Sequence, residues 1–143
     1  MEQLPSYLLT QTAAHASRLV TDGFAAVGAR GYHYRMLATL REAGPASQAD
    51  LGRRTGIHFS DVVATLNELT DGGYVERAAD PADRRRNVVT ITERGERRAD
   101  ELLERARAIQ DELLAPLSPA ERATLAGLLD RVLTHLRAGA TTD

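Results

Sequence analysis

Three consecutive arginines form the densest positive charge in this sequence. Arg84, Arg85 and Arg86 lie in the segment DPADRRRN, between two stretches rich in the Val, Tyr, Thr and Ile that favour strands, residues 74–79 and 87–92. A hairpin with a basic tip is therefore predicted, and guanidinium groups at such a tip can donate hydrogen bonds to phosphates and bases. An isolated arginine run is equally compatible with a solvated loop. The elements around it decide between these two interpretations.

A second candidate surface is the polar side of the segment before the hairpin. Residues 59–71 predict a helix with one apolar stripe, formed by Val62, Val63, Leu66 and Leu69, in which residues on successive turns are three or four positions apart. The other face carries short side chains, namely Ser60, Asp61, Ala64 and Asn67. Short side chains let a helix backbone approach base edges in the major groove, where Asp61 can accept from cytosine and Asn67 can pair with adenine. The alternative is an ordinary solvent-exposed helix face.

The segment in front of this helix predicts a short helix followed by a tight turn. Ser47 can cap it and Asp50 follows three residues later, as in a capping box, while Gly56 ends it. Ile57 supplies an apolar residue in the turn, and Gly72 and Gly73 stop the second helix. The order of short helix, turn, longer helix and hairpin is typical of a winged helix-turn-helix. In that arrangement the predicted DNA-contacting residues are Ser47, Gln48, Arg54, His58, Ser60, Asp61, Ala64, Asn67, Arg84, Arg85 and Arg86.

Over nearly its whole length the chain resembles the MarR (multiple antibiotic resistance regulator) family of bacterial transcription factors. The segments GGYVER and DPADRRRNVVTITERG are similar to the family's wing, in which an Asp-x-Arg pattern is followed by a strand ending in Thr and a Gly opening the next helix. The resemblance implies that Asp83 braces the wing and that Arg85 enters the minor groove. One departure is Val63-Ala64, where family members often carry Thr-Arg, so the contacts of that Arg do not transfer.

The remaining segments predict four further helices. The first runs from Leu4 to about Val27, begins with Pro5 and is broken by Gly28 and Gly31; the next spans about Tyr34 to Ala43. A long amphipathic helix follows Thr92, and Ser118 with Glu121 forms a capping box that starts the last helix. The expected fold class is mainly α (α+β), a winged helix-turn-helix with long N- and C-terminal helices that form a dimerisation region.

The expected organisation is one compact unit with three regions. Residues 1–30 form an N-terminal dimerisation helix, residues 32–92 the winged helix-turn-helix with its reading helix at about 59–71 and wing at about 74–92, and residues 93–143 the C-terminal dimerisation helices. The long helices carry more apolar surface than one small domain can cover, which favours a homodimer. Such a dimer would place two reading helices roughly 34 Å apart on a pseudo-palindromic operator in double-stranded DNA.

Composition excludes several classes of function. The 143-residue chain has a net charge of −2, and all 18 of its basic residues are Arg; it has no cysteine, which excludes disulfides, thiolate metal sites and thiol redox sensing. The histidines lack metal-ligand spacing, and no catalytic or phosphate-cradling motif is present, so no metal, no cofactor and no enzymatic activity are expected. Neither a signal peptide nor a membrane span is indicated, and a cytoplasmic location is expected.

The family resemblance also implies a pocket for a small aromatic or phenolic anion. Candidate lining residues offer aromatic walls and cationic partners: His15, Arg18, Tyr32, His33, Tyr34 and Arg35. The alternative is a helix junction of stacked aromatic side chains. The expected function is a dimeric transcription regulator, a repressor released from its operator by such a ligand. A winged-helix protein-interaction module and a ligand-independent DNA-binding regulator are the alternatives.

Overall fold

The computed structural model describes residues 3–140, which form six helices and three strands. In chain order these are α1 (Pro5–Ala25), α2 (Gly31–Ala43), β1 (Ala46–Ser47), α3 (Gln48–Thr55), α4 (Phe59–Asp71), β2 (Val75–Ala79), β3 (Asn87–Ile91), α5 (Glu93–Leu113) and α6 (Pro119–Ala140). The predicted winged helix-turn-helix with long terminal helices is confirmed, and α4 has the predicted bounds. The two-residue strand β1 was not predicted.

The three strands form an antiparallel sheet in the order β1-β3-β2. The hairpin β2–β3 pairs Val75 with Ile91 at its base and Ala79 with Asn87 at its tip. On the other edge of β3, Ala46 pairs with Val89. The segment that leads into α3 is thereby fixed to the same sheet as the wing, so that the helix-turn-helix and the hairpin are held as one body.

The core lies where α2, α3, α4, α5 and the sheet meet. Its fully buried side chains include Met36, Leu37, Leu40, Leu51, Leu66, Val62, Val75, Val89 and Leu102. Burial of this apolar surface is the main stabilising contribution to the fold, at roughly 25 cal/mol per Å² removed from water. The two helices of the helix-turn-helix, α3 and α4, are thus anchored from behind, and their outer faces remain exposed.

The buried face of α4 differs from the predicted stripe at one position. Thr65 is completely buried beside Val62, Leu66 and Leu69, whereas Val63 is only partly buried. Val63 is therefore less buried than predicted, because Thr65, and not Val63, lies three residues after Val62 and holds the i+3 position of the buried face. Within the described residues, Thr65 Oγ1 is buried without a hydrogen-bond partner.

The boundary between α1 and α2 also differs from the prediction. Gly28 has a φ of +69° and ends the first helical segment, as expected, but Gly31 is the first residue of α2 and not a breaker. Arg30 precedes it as the N-cap, and the backbone N–H of Arg30 donates to His33 Nδ1 at 3.1 Å. This cap allows α2 to begin three residues before the predicted Tyr34.

A close approach of backbones joins the wing to α5. Thr92 Oγ1 donates to the Gly73 carbonyl at 2.7 Å and accepts from the Gly95 N–H at 3.0 Å. A Cβ at Gly95 would overlap the Tyr74 carbonyl oxygen, so only glycine fits at this point. The predicted combination of a terminal Thr and an opening Gly therefore serves to dock the wing on the start of α5.

Contacts divide the chain into two compact units, one through Ile109 and one from Gln110. The sequence had predicted a single compact unit. In the first unit, Arg105 Nε donates to the Gly23 carbonyl at 2.6 Å, and a Cβ at Gly23 would overlap Ile109, so α1 packs closely on α5. In the second, Ser118 and Glu121 form the predicted capping box, and α6 has no buried residue. Among residues 3–140, no helix is long and apolar enough to span a membrane.

Candidate nucleic-acid interface

The helix-turn-helix is held by two caps and a buried turn. Ser47 Oγ accepts from the Asp50 N–H at 3.2 Å at the start of α3, and Gly56, at a φ of +69°, ends that helix. Ile57 is buried in the turn and donates its N–H to Thr55 Oγ1 at 3.3 Å. The angle between α3 and α4 is therefore set by local hydrogen bonds and one apolar anchor.

The N-terminus of α4 is capped by a histidine. His58 Nδ1 accepts from the Ser60 N–H at 3.3 Å and lies 2.9 Å from Ser60 Oγ. Both side chains are exposed. The predicted contacts His58 and Ser60 thus form one exposed cluster at the first turn of α4, the part of a recognition helix that reaches base edges.

The exposed face of α4 carries the small side chains predicted from the sequence. Ser60, Ala64 and Asn67 are exposed, and Asp61 is partly buried. None of them extends far from the helix axis, so this face can lie close to a base-pair edge. The local electrostatics are mixed, since Asp61 adds a negative charge in the first turn.

The wing tip is a loop organised by its two aspartates. Asp80 Oδ1 accepts from the Ala82 N–H at 2.9 Å, and Asp83 Oδ1 accepts from the Arg85 N–H at 3.1 Å. The same Asp83 oxygen lies 3.4 Å from Arg85 Nε. The Arg85 side chain nevertheless remains 92% exposed. Asp83 therefore orients the base of Arg85 and leaves its guanidinium available to a ligand.

The third arginine of the run has a different environment. Arg86 Nη2 donates to Ser47 Oγ at 3.2 Å and lies 3.7 Å from Asp50 Oδ2. Ser47, also among the predicted DNA contacts, is itself buried and used as the cap of α3. Arg86 and Ser47 thus connect the wing to α3, although the Arg86 side chain is still 54% exposed. Arg84, Arg85 and Arg54 are exposed as well.

Asp50 is the acid at the centre of this tie. Its pKa is lowered from the usual 3.8, first by its hydrogen bond with Ser47 and then by the positive charges of Arg53 and Arg86. Arg53 forms an ion pair with it one turn along α3. Asp50 thus stays ionised to a lower pH than an unperturbed aspartate would, and its carboxylate lies 3.7 Å from Arg86 Nη2.

Two residues at this surface were missed by the sequence analysis. Phe59, the first residue of α4, is 68% exposed, although it was used only to mark the helix start. Glu68, on the outer side of α4, accepts from Arg30 Nη2 at 2.8 and 2.9 Å and lies 2.5 Å from His33 Nε2. No local pattern marks Glu68, because its partners are 38 and 35 residues away in the sequence.

A cavity of about 340 Å³ lies between α1 and α2. It is lined by Ser17, Val20, Thr21, Arg30, Gly31, Tyr32 and Arg35. Arg35 lies over the Tyr32 ring, with its guanidinium carbon 5.7 Å from the ring centroid. Two cations and an aromatic wall therefore surround a space large enough for a small aromatic anion.

Of the six residues predicted for an effector site, only two line this cavity. Tyr32 and Arg35 line the cavity, whereas His33 pairs with Glu68. Tyr34 stacks on Phe24 at a centroid distance of 6.0 Å, as in the aromatic-junction alternative. His15 and Arg18 form an exposed pair on α1, with Arg18 Nη2 2.9 Å from His15 Nδ1, and neither is among the cavity residues. Arg30 lines the cavity but was not predicted.

Comparisons with known proteins agree with this geometry. Residues 28–86 match the family model described as "MarR family". Over 97 residues the chain is 31% identical to the HTH-type transcriptional repressor NicR of Pseudomonas putida, covering 68% of this chain and 61% of NicR. The match thus spans only about three fifths of that relative.

Two solved structures resemble nearly the whole chain. A probable transcriptional regulator from Pseudomonas aeruginosa is 33% identical, with a TM-score of 0.77, and the match covers 91% of this chain and 97% of that one. BpsR of Bordetella bronchiseptica, whose DNA binding is described as regulated by 6-hydroxynicotinic acid, is 25% identical, with a TM-score of 0.80 and coverage of 91% and 93%. With its winged helix-turn-helix, its braced wing arginine and these relatives, the chain belongs to the MarR family of DNA-binding transcription regulators.

Proposed function

We propose that the protein is a homodimeric repressor that binds a pseudo-palindromic operator and is released from it by a small aromatic anion. The observation that supports DNA binding most directly is the braced and exposed Arg85 at the wing tip beside the small-residue face of α4. In this arrangement α4 lies in the major groove and reads base edges, while the wing arginine contacts the adjacent minor groove. As a regulator of transcription, the protein acts in the cytoplasm.

The residues of this interface divide by role. Asn67 and Asp61 can form hydrogen bonds with base edges, which carry sequence information. Arg54, Arg84 and the N-terminal cluster of His58 and Ser60 fit phosphate or groove contacts, which fix orientation. Ser47 and Arg86 act indirectly, because they hold the wing against α3. Gln48 and Ala64 complete the surface that faces DNA.

Homodimerisation is supported by uncovered apolar side chains on the terminal helices. On α6, Leu128, Leu129, Val132, Leu133 and Leu136 are each 41% exposed or more. Leu4, which precedes α1, and Tyr7, Leu8 and Leu9 in its first turns are also exposed. Rows of this kind on long helices are typical of surfaces that a second copy covers. A two-fold dimer would also supply the second reading helix that an operator of two half-sites requires.

The cavity between α1 and α2 supports the ligand part of the proposal. Arg30 and Arg35 offer two guanidinium groups, and Tyr32 offers a flat apolar wall, which together suit an aromatic carboxylate. The description of BpsR, which concerns regulation of DNA binding by 6-hydroxynicotinic acid, favours a ligand of the same chemical class, and the name of NicR favours a repressor.

Coupling between the cavity and DNA would run through Arg30. Arg30 lines the cavity, and its guanidinium pairs with Glu68 on α4. A bound carboxylate competes with Glu68 for this cation, so that ligand binding and the position of α4 become linked. By linkage, operator DNA must then weaken ligand binding by the same factor by which the ligand weakens DNA binding.

The DNA-binding proposal is tested with the DNA upstream of the protein's own gene. Footprinting should give a protected pseudo-palindrome, and a mobility shift should show preference for it over random DNA of equal length. Binding to neither DNA, with capture of a protein partner instead, would favour the winged-helix interaction module.

The ligand proposal is tested by calorimetric titration of salicylate and 6-hydroxynicotinate, with and without operator. We expect binding to free protein that weakens when operator is present, and loss of binding in Arg30→Gln and Arg35→Gln. Arg107→Gln is the matched control, because it removes the same charge from an exposed position on α5 outside the cavity. Equal affinity with and without operator, or no binding at millimolar concentration, would favour a ligand-independent regulator.

A further inference from the structure

Phe59 is the most exposed large hydrophobic side chain among the described residues, at 68%. It occupies the first position of α4, where the helix extends past the core that buries Val62 and Leu66. An isolated apolar side chain on a surface is ordinary, but this one stands at the end of a recognition helix. We propose that Phe59 determines sequence specificity by contacting the methyl groups of thymines in the major groove, an inference that rests on the proposed DNA-binding function.

The position of Phe59 on α4 aligns it with the predicted base contacts. Phe59, Val63 and Asn67 follow one another at i, i+4 and i+8, along one side of the helix. Asn67 is exposed and Val63 is partly buried, so this row lies at the edge between the core face and the outer face. A helix that presents Asn67 to a base edge therefore presents Phe59 to the same groove, closer to its N-terminal end.

The surroundings of Phe59 favour nucleic acid over a protein partner. Phe59 lines a cavity of about 260 Å³ together with Gln48 of α3 and with Arg85 and Asn87 of the wing. Its neighbours are thus mainly polar or cationic, whereas a protein-docking patch would present contiguous apolar surface. A single aromatic ring surrounded by cationic side chains is complementary to a polyanion that carries one apolar group at a fixed position.

Thymine offers that group. Among the four bases it alone carries a methyl group in the major groove, and apolar side chains, Phe included, discriminate it by direct contact. Removing one methyl-sized group from water strengthens binding about fourfold. Phe59 would therefore add a preference for thymine that hydrogen-bonding residues such as Asn67 do not supply.

The test replaces each operator thymine in turn by deoxyuridine, which differs only by the missing methyl group. For the wild-type protein we expect one or two positions per half-site at which this change weakens binding about fourfold. In Phe59→Ala, and in Phe59→Gln as a second variant that keeps a long side chain, the penalty at those positions should disappear. Asn67→Ala is the control on the same row and should retain the penalty.

Circular dichroism and thermal unfolding establish that both Phe59 variants are folded before affinities are compared. The inference is overturned if wild type tolerates deoxyuridine at every position, or if the folded Phe59 variants show the same penalties as wild type. Either result can occur with intact operator binding, which leaves the proposed function standing. Failure of wild type to prefer operator over random DNA would instead overturn the proposed function and this inference with it.

Discussion

Adjacent arginines at the wing tip have different environments, and this difference decides what each can do. Arg85 is braced through its backbone and Nε by Asp83 and keeps an exposed guanidinium, whereas Arg86 is engaged by Ser47 and Asp50. If a guanidinium must break an internal ion pair to reach DNA, the free energy lost with that pair offsets part of the binding free energy that the DNA contact contributes. Arg85 should therefore contribute more to DNA affinity than Arg86.

The Arg85→Ala variant tests this assignment. Loss of one groove-inserted guanidinium should weaken operator binding by about 1 to 3 kcal/mol and lower the slope of log affinity against log salt by about one unit. Titrations at several salt concentrations measure both quantities. Arg107→Ala is the matched control, since it removes the same charge from an exposed position on α5. A salt slope for Arg85→Ala equal to that of the control would contradict a direct contact.

At the scale of residues, the sequence predicted contacts between residues that are close together in the chain. The Ser47 and Ser118 caps and the helix stop at Gly56 involve residues within a few positions of one another, so spacing alone identifies them. The Asp83 brace is equally local, but it was implied by the family resemblance. The Arg86–Ser47 bond spans 39 residues and depends on β1 pairing with β3, which no local pattern encodes. Arg86 was consequently grouped with its neighbours as a DNA contact.

At the scale of elements, the group formed by Arg30, His33 and Glu68 joins the start of α2 to the outer side of α4. The hydrogen bond from His33, followed by the contacts with Arg30, lowers the pKa of Glu68 from its usual 4.5. A carboxyl whose pKa is lower in the folded than in the unfolded state stabilises the fold while ionised. This contribution is present above pH 4.5 and is lost as the pH falls through the lowered pKa.

The Glu68→Gln variant should therefore show a pH-dependent loss of stability. Because the Glu68 side chain is 46% exposed, solvent screening limits the loss to about 0.5 to 1 kcal/mol at pH 6. Denaturant titrations from pH 6 to below pH 4 should show the difference from wild type shrinking as Glu68 becomes protonated. Glu104→Gln, an exposed glutamate of α5, is the control. A loss that is the same at every pH would indicate that packing, and not the charge of Glu68, is responsible.

Periodicity predicted the elements better than it predicted their burial. The bounds of α4 follow from its apolar spacing and from Gly72 and Gly73, but Thr65 replaces Val63 as the fourth buried residue. A threonine at the centre of an apolar face is not indicated by hydrophobic pattern, because its burial is set by packing against the rest of the core. The early start of α2 was missed for a different reason: Arg30 is its N-cap, and the side chain of His33 accepts from the Arg30 N–H, which is not a common capping pattern.

At the scale of the whole molecule, the described chain leaves one side of α6 without a partner. Leu129, Val132, Leu133 and Leu136 form a stripe at helical spacing, and α6 has no buried residue. The sequence identifies the stripe but not what covers it, because apolar periodicity is the same for a packed helix and for an interface. Whether a second copy of the chain covers this stripe can be measured by changing residues of the stripe.

Leu133→Asp and Leu136→Asp should convert the dimer into a monomer, because each places a charge within the proposed interface without removing a core contact. Thr134→Asp adds the same charge to an exposed site on the opposite side of α6 and should remain dimeric. Sedimentation or light scattering measures the change directly. Loss of the second reading helix should also weaken binding to a full palindrome by about 100-fold or more, because only a dimer on the full site can bind both half-sites at once. Binding to an isolated half-site should change little. If both aspartate variants remain dimeric and bind the palindrome as wild type does, the dimer interface lies elsewhere than on this stripe.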